Sequence, residues 1–358
     1  MNHSEKLKTI ASRFRIEGEI ASIKPMTQGF INDTFMVTTT GDSPNYMLQC
    51  KNRRVLSNIP ALMSNTERVT AHLRKKMTAA GGDADREVLT VLRTHDNLPY
   101  SVDEENRYWA MTLYIDDTVN HDCATSPQLA FEVGQGMGHF HSLLGDFQGH
   151  LTPVIEGLHN MTWRFNQWYM AIAGDKAHRV SQVREELSWV KSRRKEMLRF
   201  QELVDSHRIP MRAAHNNAKM SNFLFDPDGH VLCIAGLDTL MSSTPLYDFG
   251  TAACSSNCKA GNGELNLDID HFEAFTRGFL GECRHTLSPI EKEWLPFSVL
   301  YITLEQMMAA LTDYLNGDTR FPARHPEHNL ALAQALNHML VSIEDQYGKM
   351  VETVKRYC

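Results

Sequence analysis

The chain has 358 residues and a formal net charge of −7. Its length can bury substantial cores and suggests about two domains. The acidic balance gives no electrostatic reason to expect nucleic acid or an anionic membrane as a partner. Seven cysteines, an odd number, argue against a disulfide framework. The N-terminal residues lack the apolar core of a signal peptide, and no apolar run approaches membrane-spanning length, so we expect a cytoplasmic location.

Alternating apolar positions predict a small sheet in the first third of the chain. We expect its strands at Ile20–Lys24, Phe35–Thr40, Tyr46–Cys50, Val88–Arg93 and Tyr108–Ile115. An apolar stripe at helical spacing predicts one helix over Pro60–Lys76. The polar stretch 116–120 is the expected linker. Residues 1–115 should therefore form an N-terminal lobe of sheet plus one helix.

After residue 120 the sequence changes to helical periodicity. A helix is predicted over Gln128–Leu144, and its glycines would allow close contact with another helix. A long, charged helix is predicted from Val180 to about Val204. A turn at Gly229 then leads into an apolar strand that ends near Ile234. Residues 121–358 should therefore form a mainly helical C-terminal lobe.

Residues 215–222, His-Asn-Asn-Ala-Lys-Met-Ser-Asn, are the most informative stretch. They have the frame of a phosphotransferase catalytic loop, H-x-D-x-x-x-x-N, in which the Asp accepts the proton of the attacking hydroxyl and the Asn holds a metal ion. Asn217 stands at the Asp position, while Lys219 and Asn222 are kept. An amide has no basic lone pair at neutral pH, so Asn217 can orient a hydroxyl but cannot take its proton.

A second charged position of the frame is also altered. In kinase-like folds a metal-binding Asp follows the loop Asn by roughly 13–15 residues, and counting from Asn222 leads to Gly236. Asp238 is the nearby carboxylate that could replace it. Asp248-Phe249-Gly250 spells the protein-kinase metal motif but lies too far along the chain, so we predict a structural carboxylate there. We expect the floor of an interlobe cleft to hold Asn217, Asn222, Gly236 and Asp238.

These motifs together resemble the aminoglycoside phosphotransferase and choline kinase superfamily, and within it the bacterial N-acetylhexosamine 1-kinase branch. The resemblance covers most of the chain. Its blocks are Gly29–Thr34, Met47–Gln49, Leu62–Asn65, His215–Asn222, Leu237–Thr239, Tyr247–Gly250, Leu311–Asp318 and Pro326–Leu330. It implies an α+β, protein-kinase-like fold with a small mixed N-terminal lobe and a mainly helical C-terminal lobe. The branch phosphorylates the anomeric hydroxyl of GlcNAc or GalNAc with ATP and magnesium.

The resemblance also implies roles for individual residues. The catalytic positions are Asn217 and Lys219. The positions implied for ATP are Gly29, Asn32, Gln49, Glu67 and Tyr114, and those implied for Mg²⁺ are Asn222 and Asp238, with Gly236 at the usual metal-binding Asp. The sugar side is altered, because Phe30 and Ala309 stand where the branch carries His and Arg. Adenine is held by backbone groups and apolar walls, so weak nucleotide binding without metal could survive these exchanges.

The sequence favours a pseudokinase that keeps a ligand- or partner-binding cleft and performs little or no phosphoryl transfer. Loss of a positioned general base lowers the rate by roughly 10²–10⁴. The expected partners are a nucleotide, an amino-sugar or another protein, with no nucleic acid and no membrane. The main alternative is an active small-molecule kinase in which Asp238 contacts the metal. An interaction module with an inert cleft is a further alternative. Nucleotidyl transfer is a third, but no motif in the sequence indicates it.

Overall fold

The computed structural model describes residues 3–26, 31–257, 264–320, 325 and 327–358. The chain divides into two compact units. The first comprises Met1–Val119, Asp146–Glu156 and Leu224–Ser242, and the second comprises Asn120–Gly145, Gly157–Phe223 and Ser243–Cys358. Two stretches beyond residue 120 therefore belong to the first unit and not to the helical part expected for residues 121–358.

The first unit contains a five-stranded antiparallel sheet with the strand order β1-β2-β3-β5-β4. Its strands are β1 (Ile20–Pro25), β2 (Asp33–Thr39), β3 (Tyr46–Cys50), β4 (Ser101–Val102) and β5 (Tyr108–Leu113). The strands predicted at the positions of β1, β2, β3 and β5 are confirmed. Four short strands follow later in the chain: β6 (Arg212–Ala214), β7 (Phe223–Phe225), β8 (Val231–Ile234) and β9 (Met241–Ser243). The apolar strand predicted to end near Ile234 is confirmed as β8.

The prediction of a strand over Val88–Arg93 is wrong. This segment forms only an isolated bridge, between Val91 and Thr112. The N–H of Leu92 donates to Met111 of β5, whereas the carbonyl of Arg93 accepts from Arg15 on another segment. Because its backbone groups are divided between two neighbours, the segment cannot form a continuous ladder with either.

The described residues of the first unit include three α-helices: α1 (His3–Ala11), α2 (Ile59–Ala79) and α3 (Ala84–Glu87). The predicted helix is confirmed as α2, and α1 and α3 add to it. Asn65 on α2 donates to the carbonyl oxygens of Thr152 at 2.8 Å and Leu240 at 2.9 Å. These bonds attach the two later stretches of chain to the first unit. Its core contains Leu7, Ile10, Phe14, Val37, Tyr46, Leu48, Trp109 and Met111.

The second unit is mainly helical. Its helices are α4 (Pro127–Leu143), α5 (Met161–Gly174), α6 (Arg184–Asp205), α7 (Pro245–Ser255), α8 (Ile269–Cys283), α9 (Pro289–Leu315) and α10 (His328–Tyr357). The two predicted helices correspond to α4 and α6, although a 3₁₀ turn over Val180–Gln182 precedes α6. Helix α9 is apolar and long enough to span a membrane by composition, but 83% of its apolar window is buried inside the structure, as in a core helix.

Glycines allow α4 and α8 to pack closely. A Cβ atom added to Gly134 would lie 2.1 Å from the carbonyl oxygen of Phe275, and one added to Gly278 would lie 2.3 Å from that of Phe131. Such distances leave no room for a side chain at either of these two positions. The predicted close contact of the first of these helices is therefore confirmed.

Most of the cysteines described are buried thiols. Cys50, Cys233, Cys254 and Cys283 are buried and free, and exposed Cys358 is also free. Burial raises the pKa of Cys233 to about 12, so this thiol stays protonated at neutral pH. Cys123 is disulfide-bonded. The structure thus contains a disulfide that the odd cysteine count did not lead us to expect.

Candidate functional site

The loop at residues 215–222 follows β6 in the second unit and is held by a buried carboxylate. The backbone N–H groups of His215 and Asn216 donate to Asp248 on α7 at 2.8 and 2.6 Å. Nε2 of His141 on α4 lies 3.0 Å from Oδ2 of the same carboxylate. Burial opposes ionisation, but the contact and charge of His141 and the groups of His215 hold the pKa of Asp248 below its usual range. Asp248 therefore has a structural role, as predicted.

A second buried group holds the carbonyl side of the same loop. Asn216 has a left-handed backbone with φ of 60°, which asparagine tolerates better than most residues. Its carbonyl oxygen lies 3.0 Å from Nε2 of His159, whose Nδ1 lies 2.6 Å from Oε2 of Glu305. Because both ring nitrogens face acceptors, His159 is best described as an imidazolium. The loop is thus held from both sides by charged residues of its own unit.

The pKa values of this pair agree with a charged assignment. Burial disfavours the charged ring of His159, but the negative charge of Glu305 and the hydrogen bonds to it raise the pKa of His159. Burial likewise opposes ionisation of Glu305, yet His159 and Arg164 lower its pKa to about 2. Arg164 contributes a contact of 3.3 Å to Oε1. The cluster is therefore a buried carboxylate between two cations.

The predicted catalytic residues occupy the middle and the end of this loop. The carbonyl oxygen of Asn217 accepts from the N–H of Lys219 at 2.7 Å and from Nδ2 of Asn222 at 2.7 Å. The amide hydrogens of Asn222 thus close the loop, and its Oδ1 is left as an acceptor. Within the described residues of this unit, the side chain of Asn217 makes no hydrogen bond. The loop therefore presents an amide, not a carboxylate, at the position predicted for the general base.

In the first unit, Asp238 is engaged by a lysine. The turn that carries it begins at Gly236, which has a left-handed backbone with φ of 73°. Nζ of Lys51, directly after β3, donates to Oδ1 of Asp238 at 2.6 Å. Nδ2 of Asn32 donates to Oδ2 at 2.5 Å, and Nζ of Lys51 also donates to Oε1 of Gln49 at 2.8 Å. Both carboxylate oxygens of Asp238 therefore already accept hydrogen bonds.

Sequence reasoning did not identify Lys51. The residue continues the buried run after Cys50 and so breaks the alternation of β3, in which every second residue is buried. A lysine at the end of a strand is commonly exposed, so its identity alone carries no signal for burial. Its partner lies 187 residues further along the chain. The side-chain pairing could be found only from the fold.

Glu67 on α2 has a partner other than Lys51. Its Oε1 lies 2.6 Å from Nη2 of Arg93, also in the first unit. In protein kinases the lysine of strand β3 pairs with a glutamate of the neighbouring helix. Here the lysine after β3 contacts Asp238 and the glutamate contacts an arginine, so the charges of this unit are paired differently.

The remaining predicted positions are distributed over both units. Tyr114 follows β5, and its backbone N–H donates to Asn45 at 2.9 Å. Ala309 is half-buried on α9 in the second unit. Gly29 and Phe30 lie outside the described residues. The convergence of Asn217, Asn222, Gly236 and Asp238 stays a prediction.

The side chains around Asp238 do not fit a divalent metal. Mg²⁺ requires oxygen ligands in near-octahedral geometry and favours carboxylates. An ammonium group already lies 2.6 Å from one oxygen of Asp238, and an amide N–H group occupies the other. No group of three or more His, Cys, Asp or Glu side chains placed to hold a metal occurs in the ranges that the structure describes. The charge near Asp238 is therefore already balanced by the protein.

Comparison with known proteins identifies the fold and the family. The chain has the fold of the microcompartment-associated aminopropanol kinase, with a TM-score of 0.68 and 15% identity over 97% of this chain and 98% of that one. The amicoumacin kinase hAmiN, in complex with AMP-PNP, Ca²⁺ and Ami, gives a TM-score of 0.61 and 12% identity over 96% of this chain and 94% of that one. An ethanolamine kinase of Plasmodium vivax gives a TM-score of 0.57 and 12% identity over 88% of this chain and 82% of that one.

These structures confirm the expected α+β, protein-kinase-like fold, with a sheet in the N-terminal part and helices in the C-terminal part. Residues 22–283 also match the family model described as the phosphotransferase enzyme family, APH. This match covers well over half of the chain and includes the loop at residues 215–222, β8 and Asp248. The protein therefore belongs to the APH phosphotransferase enzyme family.

Proposed function

We propose that this protein is a pseudokinase of its family, which binds a nucleotide and an amino-sugar-like ligand with little or no phosphoryl transfer. One observation carries the proposal. Asp248, His159 and Asn222 hold the catalytic-type loop by buried or charged hydrogen bonds, while Asn217 presents an amide at the position of the base. The scaffold of the loop is kept, and the group that would accept the proton is missing.

The size of the effect supports this proposal. A positioned general base contributes roughly 10²–10⁴ to the rate. Phosphoryl transfer depends mainly on positioning and on charge stabilisation by metal ions. Gly236 supplies no side-chain ligand atom, and Asp238 is paired with Lys51. Either loss alone leaves a poor kinase, although the two penalties need not add.

The ligand class is part of the proposal. Neighbours of the same fold are kinases of aminopropanol, amicoumacin and ethanolamine, and by their names aminopropanol and ethanolamine are amino alcohols. The blocks that resemble the N-acetylhexosamine 1-kinase branch favour an amino-sugar. Phe30 and Ala309 alter the sugar side, so we expect weak sugar binding. A cytoplasmic location and a protein partner complete the proposal.

An active small-molecule kinase is the second candidate. Lys219 and Asn222 are kept, and the transition state of phosphoryl transfer is loose, which makes positioning more important than proton removal. In this candidate Asp238 would have to exchange Lys51 for a metal ion. The 2.6 Å ion pair between these residues disfavours that exchange.

The test is a coupled assay for ADP release with GlcNAc, GalNAc, ethanolamine and aminopropanol as acceptors. We expect very slow or no turnover, and only partial recovery in the Asn217→Asp, Gly236→Asp double variant, because Phe30 and Ala309 remain. Asn97→Asp, the same exchange on an exposed turn, is the control. Turnover of the natural chain near the usual range of about 1–100 per second would overturn the proposal. If Asp238→Ala then abolished it, the second candidate would stand.

A further inference from the structure

The environment of Lys51 is unusual for a lysine. Its side chain is 4% exposed, and its Nζ donates to Asp238 at 2.6 Å and to Gln49 at 2.8 Å. Lysine is almost never this buried unless it is paired. Asp238 is the partner, and its side chain is 18% exposed. The pair is therefore sheltered on the lysine side and reachable by solvent on the carboxylate side.

Side chains from three segments fix the orientation of this pair. Asn32, just before β2, donates to Oδ2 of Asp238, and its own Oδ1 accepts from the backbone N–H of Asn52 at 3.1 Å. Gln49 of β3 accepts from Lys51 and donates through Nε2 to Thr34 at 3.2 Å. Each polar group of the cluster thus has a defined partner within the first unit. A cluster with these fixed contacts keeps its geometry without an added ion.

The charge of the cluster explains why it does not fit Mg²⁺. A cation approaching Asp238 would meet an ammonium group already bound to Oδ1, and two like charges at such a distance repel strongly at a partly buried site. To bind the metal through Oδ1, Asp238 would have to release Lys51. Lys51 would then be left buried without its carboxylate, which is costly.

We propose that the ammonium group of Lys51 occupies the place at Asp238 that a divalent cation would take, so that the protein binds a nucleoside diphosphate without Mg²⁺. This inference rests on the proposed function only for nucleotide binding, and not for the absence of catalysis. Lys51 and Asp238 together carry no net charge, whereas Mg²⁺ on one carboxylate leaves a net positive charge. ATP should therefore bind no more tightly than ADP, because extra phosphate charge gains no extra compensation.

The experiment measures ADP affinity by isothermal titration calorimetry, with the full chain in EDTA and in excess MgCl₂. For the natural chain we expect the two dissociation constants to agree within about threefold. Lys51→Met removes the ammonium group and frees Asp238. This variant should bind ADP at least about tenfold more tightly with Mg²⁺ than without it. Mn²⁺ binding followed by electron paramagnetic resonance gives an independent readout without nucleotide, and only Lys51→Met should show it.

Three further variants separate charge from packing. Lys51→Arg keeps the positive charge and should keep binding independent of Mg²⁺. The double variant Lys51→Met, Asp238→Asn lacks the carboxylate, so it should lose the metal response that Lys51→Met gains. Lys24→Met removes an exposed lysine of β1 and controls for the loss of one positive charge. If Lys51→Met does not fold, Lys51→Gln replaces it, because glutamine keeps a donor but no charge.

The outcomes separate this inference from the proposed function. ADP binding by the natural chain that requires Mg²⁺, or no ADP binding in EDTA, overturns the inference. A Lys51→Met variant, or Lys51→Gln in its place, that shows no metal response in either readout also overturns it. Rapid turnover in the coupled assay would overturn the pseudokinase proposal while leaving the binding result as measured. Binding independent of Mg²⁺ together with a metal response in Lys51→Met supports the inference.

Discussion

The carboxylate of Asp248 accepts the backbone N–H of Asn216 at 2.6 Å, so α7 fixes the residue directly before the altered base position. A carboxylate with no exposed surface, which binds two backbone N–H groups, stabilises the loop whatever stands at position 217. This relationship explains how the loop can keep its conformation with an amide at position 217.

Replacement of this carboxylate should destabilise the protein. Asp248→Ala leaves the N–H groups of His215 and Asn216 buried without an acceptor, at about 1–3 kcal/mol each. We expect the free energy of unfolding, measured by urea titration, to fall by about 3 kcal/mol or more. Asp228→Ala, on an exposed turn, should change it by less than about 0.5 kcal/mol. Equal effects of the two variants would contradict the structural role of Asp248.

The buried cluster of His159, Glu305 and Arg164 should make stability depend on pH in two directions. The pKa of Glu305 is lowered from 4.5 to about 2, so its contribution is present above pH 4.5 and is lost as pH falls toward 2. The pKa of His159 is raised from 6.5, so its contribution is complete below 6.5 and is lost as pH rises through the raised value. The cluster should therefore stabilise the folded protein most between pH 4.5 and pH 6.5, the ordinary pKa values of the two side chains.

Glu305→Gln provides the test of this pH dependence. The difference in unfolding free energy between the natural chain and the variant should shrink in acid, by about 3 kcal/mol between pH 4.5 and 2. Asp248, whose pKa is also lowered, makes the unfolding free energy of both proteins depend on pH in acid. Subtracting the unfolding free energy of the variant from that of the natural chain removes this shared dependence. A difference that stays constant over this range would show that Glu305 is not held as the charged partner of His159.

Two glycines on α8 should respond in opposite ways to the same exchange. A Cβ on Gly278 would lie 2.3 Å from the carbonyl oxygen of Phe131, so Gly278→Ala forces α4 and α8 apart and should cost about 1–3 kcal/mol. A Cβ on Gly281 meets nothing within 4 Å. Gly281→Ala should therefore stabilise the helix by about 0.5–1 kcal/mol. Thermal unfolding of both variants checks the prediction, and equal shifts would refute it.

The left-handed backbone of Gly236 should make this position selective among side chains. Gly236→Ala should cost about 1–2 kcal/mol, since alanine is strained at φ of 73°, while Gly236→Asn should cost less. Urea unfolding distinguishes the two. The comparison also matters for the assay of Gly236→Asp, because aspartate tolerates this conformation better than alanine does. Equal stability of the alanine and asparagine variants would argue against the left-handed turn.

Periodicity in the sequence predicted the regular elements but not the short ones. The apolar stripe of α2 and the alternation of β2 and β3 were sufficient to predict the type and position of these elements, because each element buries one face. β4 has two residues, which is too short to show any period. Val88–Arg93 has apolar residues suited to a strand, but its backbone bonds to two different segments.

The candidate site was predictable only where one stretch of sequence contains the motif. Residues 215–222 could be recognised because the spacing of His215, Asn217 and Asn222 is fixed along the chain. The structural role of Asp248 followed from its distance from Asn222. The partner of Asp238 could not be inferred, because Lys51 is joined to it only by the fold.

The ion pair between Lys51 and Asp238 makes the amino acids at these positions genetically interdependent. A carboxylate restored at position 236 would enter a site whose existing charge is already neutralised, so this single reversal would gain little metal affinity. Loss of Lys51 alone would leave Asp238 without its cation and would lower stability. The single change that frees Asp238 for a metal ion is thus also a change that lowers the stability of the fold. The pair therefore acts as a barrier to reversal, because selection for metal binding at Asp238 would have to accept that loss of stability.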